Sequence, residues 1–337
     1  MLKEMRGVFD SASLVARSGY NHLQYIKPGA EIKPTLYAGK VESAVITLLL
    51  DIYGITPKDI HNKTPTFRSC SAFNLQWRAY DEVLDEEKFT TDLVTEQDLD
   101  KTPVYHKYAG KTVTGEEGLQ IALESISEAI PKSDPNYKQR KDKAEGLLTS
   151  YRNRVLTTAN NTLYHRDGVL PYALALQTKD EVTGSLGEVG AGICSLLLDI
   201  DEPTTVELFK RASVAMQFGD DYLDWRKDWV DYRKRKVTST KPIRSIENLL
   251  VSTLDEYPTE KADCENYLDD KTRRSALWIK ELAPNTLDLF RNRFQVELDR
   301  LPPHRYTDTL KGIISLTFYK LLPVAPESGW FFKWAKY

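Results

Sequence analysis

Four aspartates crowd the stretch Met216-Gln217-Phe218-Gly219-Asp220-Asp221-Tyr222-Leu223-Asp224-Trp225-Arg226-Lys227-Asp228. Read as helix, Asp220, Asp224 and Asp228 follow one another at i, i+4, i+8, and each step drifts only about 40° around the axis. The three carboxylates therefore form one slanting column. Left uncompensated it repels itself, by a few tenths of a kcal/mol for each like-charged pair. Its neighbours are Phe218, Tyr222, Leu223 and Trp225, where a plain solvated face would carry Lys, Glu and Gln. A bound cation accounts for such a column. Hard oxygen donors with no His or Cys nearby point to Mg²⁺, which is held by a few carboxylates together with substrate phosphates.

A second cluster stands about 140 residues earlier, in Arg78-Ala79-Tyr80-Asp81-Glu82-Val83-Leu84-Asp85-Glu86-Glu87. Asp81 and Asp85 are again four apart, and so are Glu82 and Glu86. Taken alone, this is an acidic helix end on the surface. Acids at a helix C-terminus oppose the macrodipole, however, and a metal would remove that objection. Two facing helices could turn both columns towards one cavity, where Mg²⁺ would stabilise the leaving oxygens of a phosphate ester. Arg226, Lys227 and Arg233 beside the second cluster, and Arg152, Arg154 or Arg166 elsewhere, are the candidates to clamp a diphosphate, although each alone reads more readily as a surface or ion-pair residue than as a ligand.

The elements that must carry these residues read as helices throughout. Residues 1–26 form an amphipathic helix, Val41–Tyr53 an apolar one, and 69–87 the helix ending in the first cluster. Residues 88–113 are polar and irregular and read as a loop or lid. Thr114 caps a helix running to Ile130, and a basic-starting helix spans 137–163. Residues 174–200 mix a helical pattern with Gly184, Gly187, Gly190 and Gly192. Each interior glycine costs about 1 kcal/mol relative to alanine, which points to a kinked helix whose backbone presses on a ligand or a neighbour. The helix bearing the aspartate column starts after Pro203-Thr204-Thr205 and runs to about Arg235. Helices over 245–254, 260–282, 286–301 and 307–322 follow, and an aromatic tail at 324–337 ends the chain.

With 41% hydrophobic and 28% charged residues over 337, one domain of residues 1–337 can bury a large core. A net charge of −3, from 46 basic and 49 acidic residues, gives no reason to expect nucleic acid. Cys70, Cys194 and Cys264 are isolated and read as reduced thiols. The N-terminus lacks the pattern of a signal peptide, and no apolar run reaches the roughly 18 residues needed to span a bilayer. These features predict a soluble, cytoplasmic, all-α protein. A carboxylate-bridged di-iron bundle would need Glu-x-x-His pairs, and none of the five histidines has Glu three residues before it.

Gln217-Phe218-Gly219-Asp220-Asp221-Tyr222-Leu223-Asp224 resembles the second aspartate-rich motif of trans-prenyl diphosphate synthases, and Asp220, Asp224 and Asp228 fit the spacing of the metal triad of class I terpene synthases. Asp81–Asp85 resembles the first aspartate-rich motif, in the form also seen in squalene- and phytoene-synthase relatives. Gly184–Leu198 is similar to the segment preceding the second motif in bacterial large-terpene cyclases. The resemblance to this class I isoprenoid synthase superfamily implies a helical bundle around a deep apolar cavity and three Mg²⁺ held by Asp81, Asp85, Asp220, Asp224 and Asp228. It also implies ionisation of an allylic prenyl diphosphate, with Asp81, Asp85, Asp220 and Asp224 catalytic, and a homodimer. Phe73, Trp77, Tyr80, Tyr222 and Trp225 lie close enough to the motifs to stabilise carbocations through their π faces, though for any one of them core packing is the readier job. Glu86-Glu87-Lys88-Phe89 stands where chain-elongating synthases carry an Arg-Arg pair. That departure favours a terpene synthase that cyclises or quenches one substrate. A prenyltransferase of the same fold is the alternative, and a non-catalytic helical interaction protein is the second.

Overall fold

The structure, a computed structural model, describes residues 79, 80, 83, 93–106, 111–163, 168–200, 202–238, 243–269 and 279–316. The expected helices at 1–26 and 41–53, most of the first-cluster helix, Cys70 and the aromatic tail lie outside the described residues. So do Phe73, Trp77, Asp81, Asp85 and Arg166.

Helices dominate, as the periodicity predicts. In order they are α1 (Glu96–Lys101), α2 (Gly115–Ala129), α3 (Tyr137–Leu163), α4 (Tyr172–Lys179), a π-helical turn (Asp180–Gly184), α5 (Ser185–Leu198), α6 (Pro203–Thr238), α7 (Leu249–Leu254), α8 (Pro258–Asp269), α9 (Ile279–Leu282), α10 (Pro284–Asp299) and α11 (Thr307–Leu316). The region expected to be an irregular lid differs. It contains α1 and a short antiparallel hairpin, β1 (Pro103–His106) with β2 (Lys111–Thr114), in which Val104 faces Val113. Local chemistry explains the helix: Thr95 and Asp98 exchange side-chain and backbone hydrogen bonds as a capping box. Thr114 and Glu117 repeat that device at the start of α2, as expected from Thr114.

The two long helices organise two clusters of buried side chains. On α3, Ala144, Leu148, Tyr151, Val155 and Ala159 recur every three or four residues and meet Ile126, Val189 and Ile193, together with Tyr80 and Val83 from the first-cluster helix. On α6, Leu208, Ala215, Phe218, Trp225 and Trp229 repeat the same period against α7, α10 and α11. Phe218 packs between the rings of Phe290 and Phe294, with centroids 5.2 and 5.8 Å away. Cys194 and Cys264 are buried free thiols.

The glycine-rich segment is helical, interrupted by a π turn and packed closely on a neighbouring helix. α4 gives way to the π turn and then to α5, and the chain reverses at Asp199, whose φ of 58° is left-handed. Ile200 N–H reaches back to the Ser195 carbonyl to close the helix end. α6 then returns antiparallel, close against α5. A Cβ on Gly187 would collide with the Phe209 carbonyl and the Ser213 hydroxyl of α6, and one on Gly184 would come within 3.0 Å of Val214. By contrast, a Cβ on Gly146 of α3 would meet nothing within 4 Å. Gly187→Ala is therefore expected to destabilise the protein by about 1–3 kcal/mol, whereas Gly146→Ala should stabilise it by about 0.5–1 kcal/mol. Urea unfolding of the two variants checks both signs.

Candidate active site

The aspartate column lies on the middle of α6, and its members do not share one environment. Asp220 is exposed, and Asp224 is partly buried. Asp221 is only 3% exposed, because a step of one residue turns it about 100° from Asp220, into the bundle. Its Oδ2 accepts the Leu249 backbone N–H at 2.7 Å, and its Oδ1 lies 3.1 Å from Lys179 Nζ and 3.2 Å from Gln217 Nε2. Gln217 also donates to Asp220 Oδ2 at 2.8 Å, and its carbonyl oxygen accepts from Thr183 Oγ1 at 3.2 Å. One amide thus spans the π turn, the exposed aspartate and the buried one.

Lys179 and Thr183 reach α6 because they sit four residues apart on one face of the helix that bends at the π turn. Burial opposes the charge on Lys179, but Asp221, Glu247 and Asp220 outweigh it and hold the ammonium above its usual range. Burial pushes the Asp221 carboxyl upward, against the opposing pull of Lys179 and of the Leu249 amide. From below, Asn248 completes the frame. Its Oδ1 caps α7 by accepting from Leu250 and Val251, so its Nδ2 must face α6, where it donates to the Asp221 carbonyl at 2.7 Å and to Asp228 Oδ2 at 2.9 Å. The segment carrying Asn248 is docked by a two-bond bridge between Ile246 and residues 168–170.

The basic candidates are dispersed. Arg152 is buried and bonded to Asp100 at 2.7 Å and to the Glu96 carbonyl at 3.0 Å, tying α3 to α1. Arg154 donates to Ser185 Oγ and Glu188, and Glu188 in turn lies 3.4 Å from Lys210 of α6. Arg226 stacks over Tyr267, 5.5 Å from its centroid. Lys227 is exposed and Arg233 partly buried. Among the expected cavity aromatics, Tyr80 is buried against Tyr151 and Trp225 against Trp229, both inside the clusters above, while Tyr222 is half-buried at the edge of the larger one. Lys179, Thr183 and Asn248 were not anticipated. An Asn before the apolar run Leu249-Leu250-Val251 is a readable cap signal, but nothing in the spacing announces Lys179.

Between α3 and α4 lies an open groove of about 1000 Å³, and Arg154 borders it. Its described wall is mixed, with Ser150, Asn153, Thr157, Asn161, Gln177 and Glu181 beside Leu170 and Leu174. The apolar cavity implied by the resemblance is not outlined by the described residues.

The exposed Asp220 and the partly buried Asp224 one turn on suit Mg²⁺, which keeps several waters and takes one or two carboxylates plus phosphate oxygens. Among the described residues no three His, Cys, Asp or Glu side chains group to enclose an ion. Asp220 and Asp224 therefore fit one part of a coordination shell that substrate and further ligands must complete.

No protein-family model matches this chain, and no curated protein matches it. Solved structures do. A geranylgeranyl pyrophosphate synthetase from the archaeon Geoglobus acetivorans superposes with a TM-score of 0.50 over 94% of this chain and 99% of that one, at 14% identity. The geranylgeranyl pyrophosphate synthetase of Pyrococcus horikoshii Ot3 covers 94% of this chain and 96% of its own, with a TM-score of 0.48 and 14% identity. The likeness is one of fold: the chain folds as the Geoglobus geranylgeranyl pyrophosphate synthetase does. No helix among the described residues is long and apolar enough to cross a membrane.

Asp228 gives the site a pH signature. Burial, with the charges of Asp221 and Asp224, pushes its carboxyl up to about 6 against the Asn248 hydrogen bond. The unfolded chain releases this proton near pH 4, so between about pH 4 and 6 the native state holds more protons and stability falls as pH rises. Asp228→Asn keeps an oxygen for Asn248 Nδ2 and removes the charge. In EDTA it is expected to raise stability at pH 7.5 by on the order of 1–3 kcal/mol, with the gain vanishing towards pH 4.5. Urea midpoints across that range check it.

Proposed function

We propose that this protein is a Mg²⁺-dependent prenyltransferase, which ionises a prenyl diphosphate and joins the prenyl group to a second isoprenoid or to another nucleophile. The observation that carries this reading is the split of the α6 column: Asp220 faces outward with Asp224 one turn on, in a chain whose fold is that of a geranylgeranyl pyrophosphate synthetase. Asp220 and Asp224 would hold the metal, with Asp81 and Asp85 from the first-cluster helix as the opposite ligands. Mg²⁺ bound there supplies Lewis-acid stabilisation of the leaving diphosphate oxygens. Gln217 fixes the direction of the Asp220 carboxylate through its 2.8 Å hydrogen bond. Among the described residues that line the groove Arg154 is the cation, already oriented by Ser185 and Glu188.

The groove between α3 and α4 bears on the choice between transfer and cyclisation. A cyclising carbocation needs surroundings that do not react with it, whereas hydroxyl and amide groups suit an acceptor that carries polar groups of its own. A terpene cyclase is the second reading, motivated by Glu86-Glu87 where elongating synthases carry paired arginines. Purified protein with Mg²⁺ and C10 to C25 allylic diphosphates, each with and without an isoprenoid co-substrate, separates the two. Product that requires the second substrate is expected; hydrocarbon or alcohol from one substrate alone would establish the cyclase. Absence of diphosphate release from every combination would sink both enzymatic readings. Asp220→Ala and Asp224→Ala should each lower the rate at least about a hundredfold; neutral or stabilising effects would mark the column as incidental to a binding protein.

A further inference from the structure

We propose that Lys179 is the resident cation of the aspartate column, a positioning residue that pins Asp221 inward and thereby aims Asp220 outward. This rests on the reading that Asp220 and Asp224 take Mg²⁺, and it divides two adjacent aspartates into different jobs.

Asp221 receives donors from three separate elements: the Lys179 ammonium before the π turn, the Gln217 amide one turn back on α6, and the Leu249 N–H at the start of α7. With 3% exposure and both oxygens engaged, this carboxylate has no side open to an incoming ion. Asp221 is therefore an anchor and not a metal ligand. The anchor has a geometric consequence. A helix can rotate about its axis only as a whole, so fixing Asp221 against Lys179 and Leu249 fixes the direction of Asp220, about 100° away, and of Asp224 one turn further. Lys179 also faces Asp220 and Glu247, and Glu247 is itself paired with Arg244. The charge that Lys179 brings thus reduces repulsion within the column before any metal arrives.

The test uses full-length protein with MgCl₂ and inorganic pyrophosphate, read as a thermal shift, and urea unfolding in EDTA. Lys179→Met should raise the half-saturating Mg²⁺ concentration about tenfold, a loss typical of groups that orient ligands without touching metal. Lys179→Arg should stay within about threefold of wild type. The neutral pair Lys179→Met/Asp221→Asn should recover to within about threefold as well, because it restores an uncharged anchor and leaves Asp220 and Asp224 untouched. Asp220→Asn should abolish the saturable shift. In EDTA the double variant should be more stable than Lys179→Met alone, which strands a buried carboxylate. A shift below threefold in Lys179→Met, or a double variant no better than Lys179→Met in Mg²⁺ response, overturns the proposal. A wild-type protein with no pyrophosphate-dependent shift would instead count against the prenyltransferase reading. The unfolding comparison then decides the pin by itself: equal stability of the single and double variants overturns it.

Discussion

The close approach of α5 and α6 at Gly187 sets the geometry on which the site depends. With no side chain on Gly187, the backbone of one helix rests against Phe209 and Ser213 of the other. The two helices run antiparallel, so each turn back along α5 and the π turn meets one turn forward along α6. Gly187 faces Ser213, Thr183 then meets Gln217 at 3.2 Å, and Lys179 meets Asp221 at 3.1 Å. A bulkier residue at the first rung would separate the helices and open the two polar rungs beyond it. The π turn belongs to the same arrangement. It keeps Lys179 and Thr183 beside Asp221 and Gln217, while Asp180 reaches Lys210 and Arg211 earlier on the same helix. Such turns recur at functional sites because they redirect side chains without ending the helix.

The same helix must also be both core and charged surface. Phe218, Trp225 and Trp229 are almost fully buried on α6, interleaved with Asp220, Asp221, Asp224 and Asp228. A buried polar group left without partners costs about 1–3 kcal/mol, and a charged one more. The inward aspartates are accordingly supplied with donors: Asp221 by Lys179, Gln217 and Leu249, Asp228 by Asn248; Gln217 serves the exposed Asp220 as well. Asn248 uses both ends of its amide, capping α7 with the oxygen and holding α6 with the nitrogen. The short α7 is thus fixed in register against the column by the residue that starts it.

What could be read from the sequence was what depends on near neighbours. α2 announces itself through Thr114 and Glu117, α3 and α6 through long apolar periods, and the glycines through an excess that only close packing justifies. The i, i+4 placement of Asp220 and Asp224 follows from helix geometry alone. α1 and the hairpin escaped because their elements are only four to six residues long, too short to show a period. The partners of the charged residues escaped for another reason. Arg152 is committed to Asp100, 52 positions away, and Lys179 to Asp221, 42 positions away, so both depend on how helices are set side by side. Propensity cannot supply that information, and a guanidinium that looked available for phosphate turns out to be a tether between α3 and α1.

Sharing a fold with a geranylgeranyl pyrophosphate synthetase does not decide between joining two substrates and cyclising one, because both begin from the same ionisation. They differ in what surrounds the cation afterwards. Cyclisation requires walls that neither donate nor accept, so that the only available nucleophile is the substrate's own double bond. Transfer requires a second molecule held beside the first, and holding it takes polar groups. The described groove wall offers both characters, Asn153, Asn161 and Gln177 beside Leu170 and Leu174. On the proposed reading, Asp220 and Asp224 would bear on the ionisation that both reactions share, and the groove on the step that separates them. Substitutions in the column should therefore alter rate with either chemistry, and only substitutions in the groove can alter which product forms.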